Sequence, residues 1–158
     1  MNLDQALEFA ELHHDGQVDK GGQPYIDHVR RVVSAVCKPE EKLAAALHDL
    51  LEDTDVTTTE LLDEGCPPEI VRVVEALSRR DDESYEDFVR RAAQDPIARA
   101  VKRADVADNA SETRLALLPA GLAARLRYKY IRATAILDSF EATEAANSKW
   151  SFSPDARL

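Results

Sequence analysis

Apolar residues recur at helical spacing along most of this chain, and no segment of any length alternates with period two. Leu3, Leu7, Ala10 and His14 follow i, i+4, i+7, i+11. Further stripes are Val29, Val32, Val33 and Val36; Leu43, Leu47, Leu50 and Leu51; Ile70, Val73, Val74 and Leu77. The longest is Leu122, Leu126, Tyr130, Ala133 and Leu137. Such a pattern gives each helix one face to bury and leaves no strand face to cover, so the expected fold class is all-α.

Start and stop signals agree with the stripes. Thr57 with Glu60 forms a capping box, Ser84 with Asp87 opens another helix, and Asp95-Pro96 pairs an N-cap with proline at the first helical position. Gly16 and Gly21-Gly22 interrupt the chain after the first helix, and Gly65 ends the short fourth one. Helices are expected near 2–15, 24–37, 40–54, 58–64, 68–79, 84–94, 96–109 and 119–140. Periodicity fades after 140. The expected organisation is one compact helical domain over 1–140 and a tail over 141–158, frayed or laid on the surface through Trp150 and Phe152.

The 158 residues fit a single domain. With 30 acidic residues against 20 basic ones the net charge is −10, which argues against binding to long nucleic acid, where phosphate contacts dominate. A small phosphorylated ligand stays compatible, because a bound divalent cation inverts the local field. Cys37 and Cys66 have no CxxC spacing and read as reduced thiols. No apolar run is long enough to span a membrane, and the first residues, MNLDQALEFAELHH, lack a charged-then-apolar leader pattern, so the expected compartment is the cytoplasm. The oligomeric state is left open.

Three polar clusters stand out. In the run 47–54, His48 and Glu52 are i, i+4, as are Asp49 and Asp53, so one imidazole and three carboxylates share one side of a helix whose other side is leucine. Burying them is costly unless a cation collects them. The donor set would suit Mn, Fe or Zn better than Ca. A solvated acidic face is the plainer reading. His28, beside the valine stripe of the second helix, reads as a ligand or as a hydrogen-bonded boundary residue. Asp105 follows the apolar run Ile97, Ala100, Val101, Ala104 and shares a face with Asn109. Lys102 at i−3 is a possible salt-bridge partner for it, and a metal is the other. His14 reads as structural and His13 as exposed. The chain has no GxxxxGK, no GxGxxG after a strand, no HExxH and no GxSxG.

In combination, the stretches HHDGQVDKGGQPYIDHVRRV at 13–32, AAALHDLLEDTDV at 44–56 and VKRADVADNASET at 101–113 resemble the HD-domain metal-dependent phosphohydrolases. They resemble most the (p)ppGpp hydrolase domains of the RelA/SpoT type and their small stand-alone relatives, and RLRYKYIRA at 125–133 resembles the closing helix of the latter. The resemblance implies an all-α HD-type helical bundle and one divalent metal, usually Mn²⁺, held by His28, His48, Asp49 and Asp105. It implies that Glu52 and Asp53 serve water activation and proton transfer, and that Asn109 lies near the nucleotide. The implied activity is hydrolysis of a phosphate or pyrophosphate ester of a nucleotide, (p)ppGpp first among the substrates. A non-catalytic metal or nucleotide sensor is the alternative.

Lys20 and Lys102, with Arg79 and Arg103, are the candidate phosphate contacts. Three departures stand out. The hydrolases have Pro after the first ligand His, where this chain has Val29. The hydrolases carry an Arg/Lys-rich stretch after the Gln of the first block, where this chain has Val18-Asp19-Lys20, and they read Arg-Leu-His-Asn after the last Asp, where this chain has Val106-Ala107-Asp108-Asn109.

Overall fold

In the computed structural model of the chain, residues 1–150 are described, with side chains through 147. They form ten helical segments: α1 (Leu3–His13), α2 (Tyr25–Ala35), α3 (Pro39–Leu47), α4 (Leu50–Asp53), α5 (Thr58–Asp63), α6 (Pro68–Leu77), α7 (Tyr85–Ala92), α8 (Pro96–Asn109), α9 (Glu112–Leu115) and α10 (Ala120–Trp150). Among the described residues there is no strand, only an isolated bridge between Val18 and Pro24 that pinches the loop between α1 and α2. Gly22, at φ +81°, makes the turn inside that loop, a conformation open to glycine at no steric cost.

The caps read from the sequence are present. Thr57 and Glu60 close a reciprocal capping box on α5, the Ser84 side chain accepts from the Asp87 amide at α7, and Asp95 accepts from the amides of Ile97 and Ala98 at α8. Each supplies a partner to backbone donors that the first helical turn leaves free.

α3 and α8 form the centre. α3 packs against α1, α2, α6 and α8, and its run Ala44, Ala45, Ala46, Leu47 is buried on every side. Three small side chains in succession let the neighbouring helices come close. α8 faces two apolar clusters. Its Ala98, Val101 and Ala104 join the larger one with α2, α3 and α6, while Val106 joins Val89, Tyr130, Ala133 and Leu137 of α7 and α10. Asp105 thus sits where the two clusters meet.

The structure differs from the sequence expectation in four places. A short helix, α9, stands at Glu112–Leu115, where none was expected. The helix expected over 40–54 is broken at His48–Asp49, where Asp49 takes φ −103°, ψ −3°. Consecutive residues of an unbroken helix point ~100° apart, and the break brings both side chains to one site. α10 runs on to Trp150 instead of ending near 140. Ion pairs from Arg99 to Glu144 and from Arg103 to Glu141 tie that last part to α8 after the apolar stripe has run out. His13 is half-buried and stacked on Phe9, with ring centroids 4.3 Å apart. The expectation for Trp150 and Phe152 lies outside the described side chains. Cys37 and Cys66 are both free. No helix among the described residues is long and apolar enough to cross a membrane.

Arg91 fastens α7 to the end of α6. Its guanidinium donates to the carbonyls of Ala76 and Ser78 and forms a two-pronged pair with Glu83, with both contacts at 2.8 Å. It therefore caps carbonyls that the helix end leaves unpaired. Arg91→Ala is expected to lower unfolding stability by about 2 kcal/mol, read from the midpoint of urea denaturation. The hydrogen bond from Arg91 holds the Glu83 carboxyl below its ordinary range. That contribution is present above the unfolded value of ~4.3 and is lost as pH falls through the lower folded value. The gap between the variant and the unaltered protein should therefore narrow on acidification below about pH 4.

Candidate metal centre

His28 enters the site from α2, His48 and Asp49 from the break between α3 and α4, and Asp105 from α8. All four are drawn from the core or its edge, and His28 and His48 are 1% and 2% exposed. One ligand atom from each of His28, His48 and Asp49 lies within 4.8 Å of the others. His48 Nε2 is 2.9 Å and His28 Nε2 3.7 Å from Asp49 Oδ2, and His28 Nε2 is 3.4 Å from Asp105 Oδ1. Asp105 stands at the edge of this group with both oxygens in use. Lys102 Nζ donates to Oδ2 at 2.8 Å and the Asn109 amide donates to Oδ1. The salt bridge from Lys102 and the approach to the imidazoles are therefore both present.

The donor set fits a divalent cation. His48 Nδ1 donates to the Ala45 carbonyl at 2.8 Å, which fixes the tautomer and leaves Nε2 as the acceptor. That Nε2 is buried and has no hydrogen bond of acceptable geometry, although Asp49 Oδ2 is near. A buried lone pair without a donor, aimed at carboxylates, is the arrangement a cation completes.

His28 is oriented in a different way. Asp108 Oδ2 lies 2.6 Å from its Nδ1, so Nδ1–H donates to that carboxylate and Nε2 faces Asp49 and Asp105. Asp108 is held in turn by Arg31 Nε at 2.6 Å and by Arg114, whose other amino group reaches Asp19 Oδ2 at 3.0 Å. Tyr25 donates its hydroxyl to Asp49 Oδ2 at 2.6 Å.

The electrostatics follow from this crowding. Burial alone would raise Asp49, but a protonated His48 beside it, whose own pKa Asp49 raises against burial, keeps the carboxyl well below its usual range, and a cation would take the place of that proton. Burial likewise opposes charge on His28, yet hydrogen bonds to Asp105 and Asp108 and the charge of Asp49 raise its pKa to about 9. A cation entering the site displaces that proton, so its affinity should fall with falling pH. Glu52 and Asp53 lie further out and are shifted the other way. Burial, with the neighbouring charge of Asp49, lifts both above the ordinary carboxylate range. Glu52 is aimed by the Arg79 amide, which donates to its Oε2 at 3.0 Å.

Asp49, Glu52, Asp53 and Asp105 form the floor and one side of an open cleft of about 490 Å³, while the buried His28 and His48 do not reach its lining. Lys20, Lys102, Asn109 and Arg79 line it, but Arg103 does not, because it is turned toward α10 in ion pairs of 2.8 Å with Asp138 and Glu141. Lys102 is buried under Phe88, its Nζ 4.4 Å from the ring centroid.

An HD domain family model matches residues 6–149. The chain belongs to the HD-domain family. Among curated proteins it is 33% identical over 119 residues to a guanosine-3′,5′-bis(diphosphate) 3′-pyrophosphohydrolase of Aquifex aeolicus, a match covering 68% of this chain and 17% of that protein. It is 32% identical over 89 residues to the bifunctional (p)ppGpp synthase/hydrolase SpoT of Escherichia coli, covering 54% of this chain and 12% of the relative. The chain thus spans less than a fifth of the length of these relatives. A solved structure described as a metazoan orthologue of SpoT that hydrolyses ppGpp superposes with a TM-score of 0.71 at 20% identity, covering 85% of this chain and 84% of that one. The all-α HD fold is common to both.

Sequence reasoning passed over Tyr25, Arg31, Asp108 and Arg114. Tyr25 and Arg31 lie three residues either side of His28, and Asp108 lies three beyond Asp105. That spacing was the available signal. Asp108→Asn keeps the size of the side chain and removes its charge. It is expected to weaken Mn²⁺ binding by about 10–100-fold, measured by competition with a chromogenic chelator.

Proposed function

We propose that this chain is a divalent-metal-dependent phosphohydrolase acting on a nucleotide, with (p)ppGpp as substrate and the bond to the 3′ pyrophosphate as the one cleaved. The observation that carries the reading is one cleft with two kinds of acid: carboxylates held low beside two imidazoles, and carboxylates lifted high next to them. Environments that push titratable groups apart in this way are what acid–base chemistry needs. The relatives named above are hydrolases of that nucleotide, which supports the choice of substrate.

In this reading His28, His48, Asp49 and Asp105 hold the cation, and Mn²⁺ is the metal we assign, since imidazole and carboxylate together suit it. Such an ion supplies neutralisation of phosphoryl charge and a lowered pKa for water, from 15.7 toward about 7. The protein's own groups do the rest. Water attacks phosphorus, the bond from phosphorus to the 3′ oxygen breaks, and pyrophosphate leaves. Glu52 Oε1 or an Asp53 oxygen accepts the proton of the attacking water, and the same pair returns a proton to the departing oxygen. A raised pKa brings each closer to accepting a proton at neutral pH than an exposed carboxylate would be. Asp108 and Tyr25 keep the His28 ring and the Asp49 carboxylate in place. Lys20, Lys102 and Asn109 would serve the substrate, Lys102 and Asn109 through their hold on Asp105. Glu52 and Asp53 favour an enzyme over a sensor, because metal or nucleotide binding alone has no use for a pair of carboxylates raised above their ordinary range beside the ligands.

The test is pyrophosphate release from ppGpp and a small panel of nucleotides, with Mn²⁺ and with EDTA. Release should require the metal. Asp49→Ala should lose metal binding and turnover while keeping its helical circular dichroism, and Glu52→Gln should lower kcat by about 10²–10⁴-fold. Full Mn²⁺-dependent activity in Asp49→Ala would sink the ligand assignment. No release from any nucleotide by protein with tightly bound metal would favour the sensor.

A further inference from the structure

Glu52 and Asp53 are held by different means. Glu52 is aimed by the Arg79 amide. Asp53 is the last residue of α4, a helix of only four. A single helical turn has little stability of its own, and its final carbonyls find no partner within it. The near end of the turn is anchored by the fully buried Leu50. The far end has open space on both sides, because Gln17, Glu52 and Asp53 line the cleft and also a second recess with His13, Thr54 and Asp55. There the Asp53 carbonyl accepts from Gln17 Nε2 at 2.9 Å.

Gln17 is itself tied down. Its backbone N–H donates to the His14 carbonyl and its carbonyl accepts from the Tyr25 N–H, both at 3.0 Å. Its Oε1 lies 2.9 Å from His14 Nδ1. The Asp53 carbonyl can only accept, so Gln17 turns its amide N–H toward Asp53 and its oxygen toward His14, and His14 Nδ1 must carry the hydrogen. His14 Nε2 is then an acceptor, buried and without a hydrogen-bond partner among the described residues. Leaving such an atom bare is costly. A leucine would continue the apolar stripe of α1 without that cost. Among the described residues the one hydrogen bond of the ring goes to Gln17, and it fixes which end of the Gln17 amide faces α4.

We infer that Gln17 and His14 are positioning residues for Asp53. They form a strut of two links, His14 Nδ1–H to Gln17 Oε1 and Gln17 Nε2–H to the Asp53 carbonyl, which keeps the end of α4 in place and its carboxylate turned to the cleft. Neither side chain is hydrogen-bonded to His28, His48, Asp49 or Asp105. The bond from Tyr25 to Gln17 is made by main chain, so a change of the Gln17 side chain leaves it standing. The inference rests on the phosphohydrolase reading for the task of Asp53, and on the hydrogen bonds alone for what holds it.

The experiment compares the full chain with Gln17→Met, His14→Leu and His14→Asn, using Mn²⁺ and ppGpp. Asparagine keeps a donor near the place of Nδ1, and leucine does not. Gln17→Met and His14→Leu should each lower kcat about 30-fold, since a reacting group misplaced by about 1 Å can cost about 10²-fold. KM should change by less than about twofold. Mn²⁺ affinity, by competition with a chelator, should change as little. His14→Asn should recover most of kcat, and the double variant of Gln17→Met with His14→Leu should lose little more than either alone. Hydrogen exchange reads the strut without turnover. The Asp53 and Thr54 amides, bonded to the carbonyls of Asp49 and Leu50, should exchange about fivefold faster in Gln17→Met, and the amides of α3 no faster. The strut is overturned by unchanged exchange at α4, by kcat within twofold in Gln17→Met, by His14→Asn faring no better than His14→Leu, or by Mn²⁺ affinity falling along with kcat. Faster exchange at α4 in a protein that hydrolyses no nucleotide upholds the strut and overturns the hydrolase reading instead.

Discussion

Asp105 is 5% exposed at the junction of two apolar clusters, and the surroundings of that one carboxylate organise much of the molecule. A buried charge without partners is among the most costly things a fold can contain. Here Lys102 and Asn109 answer it from the same helix, one turn to either side, and His28 answers it from α2. Lys102 must then be buried as well, and it rests on Phe88, which draws α7 over α8. The position of α7 thus follows from a polar requirement as much as from its own apolar face.

Around this centre the two imidazoles are fixed by different means. His48 uses a backbone carbonyl of its own helix. His28 uses Asp108, which is shared with Arg31 and Arg114, and Arg114 reaches on to Asp19 in the loop beside the cleft. One connected set of ion pairs therefore runs from the loop, where the alarmone hydrolases carry basic residues, to the place on α8 where they carry His. Two of the departures seen in the sequence, at Asp19 and at Asp108, are ends of a single network. Acid at 19 and acid at 108 are both matched by Arg114.

The fold was legible because its stripes and caps are local. Leu, Val and Ala at three- and four-residue spacing, with Thr57, Ser84 and Asp95 before them, mark helices whatever their partners. The break at His48–Asp49 was not legible, since the leucine stripe continues through it and only packing at the site separates α3 from α4. The continuation of α10 was hidden for the opposite reason. Its last part is held by Arg99 and Arg103 of α8, some 40 residues earlier in sequence. In the candidate site, types and order of residues pointed to His28, His48, Asp49 and Asp105. Asp108 carried only the weak signal of its spacing from Asp105 and Arg114 carried none, because the partners that give them their roles, His28, Arg31 and Asp19, lie across the fold.

The cleft gathers five basic side chains, Lys20, Arg79, Lys102, Arg114 and Lys129, beside its five carboxylates, whereas the chain as a whole carries a net charge of −10. An anionic ligand approaching from far away meets the whole protein first and is repelled. Close in, it meets Lys20, Lys129 and Arg79. Salt acts on these two ranges unequally, since the Debye length of ~10 Å at 0.1 M screens the distant field while contacts inside the cleft are largely spared. Moderate ionic strength should therefore speed the encounter with a polyanion more than it weakens the complex, the reverse of the behaviour expected when a basic protein meets a nucleotide.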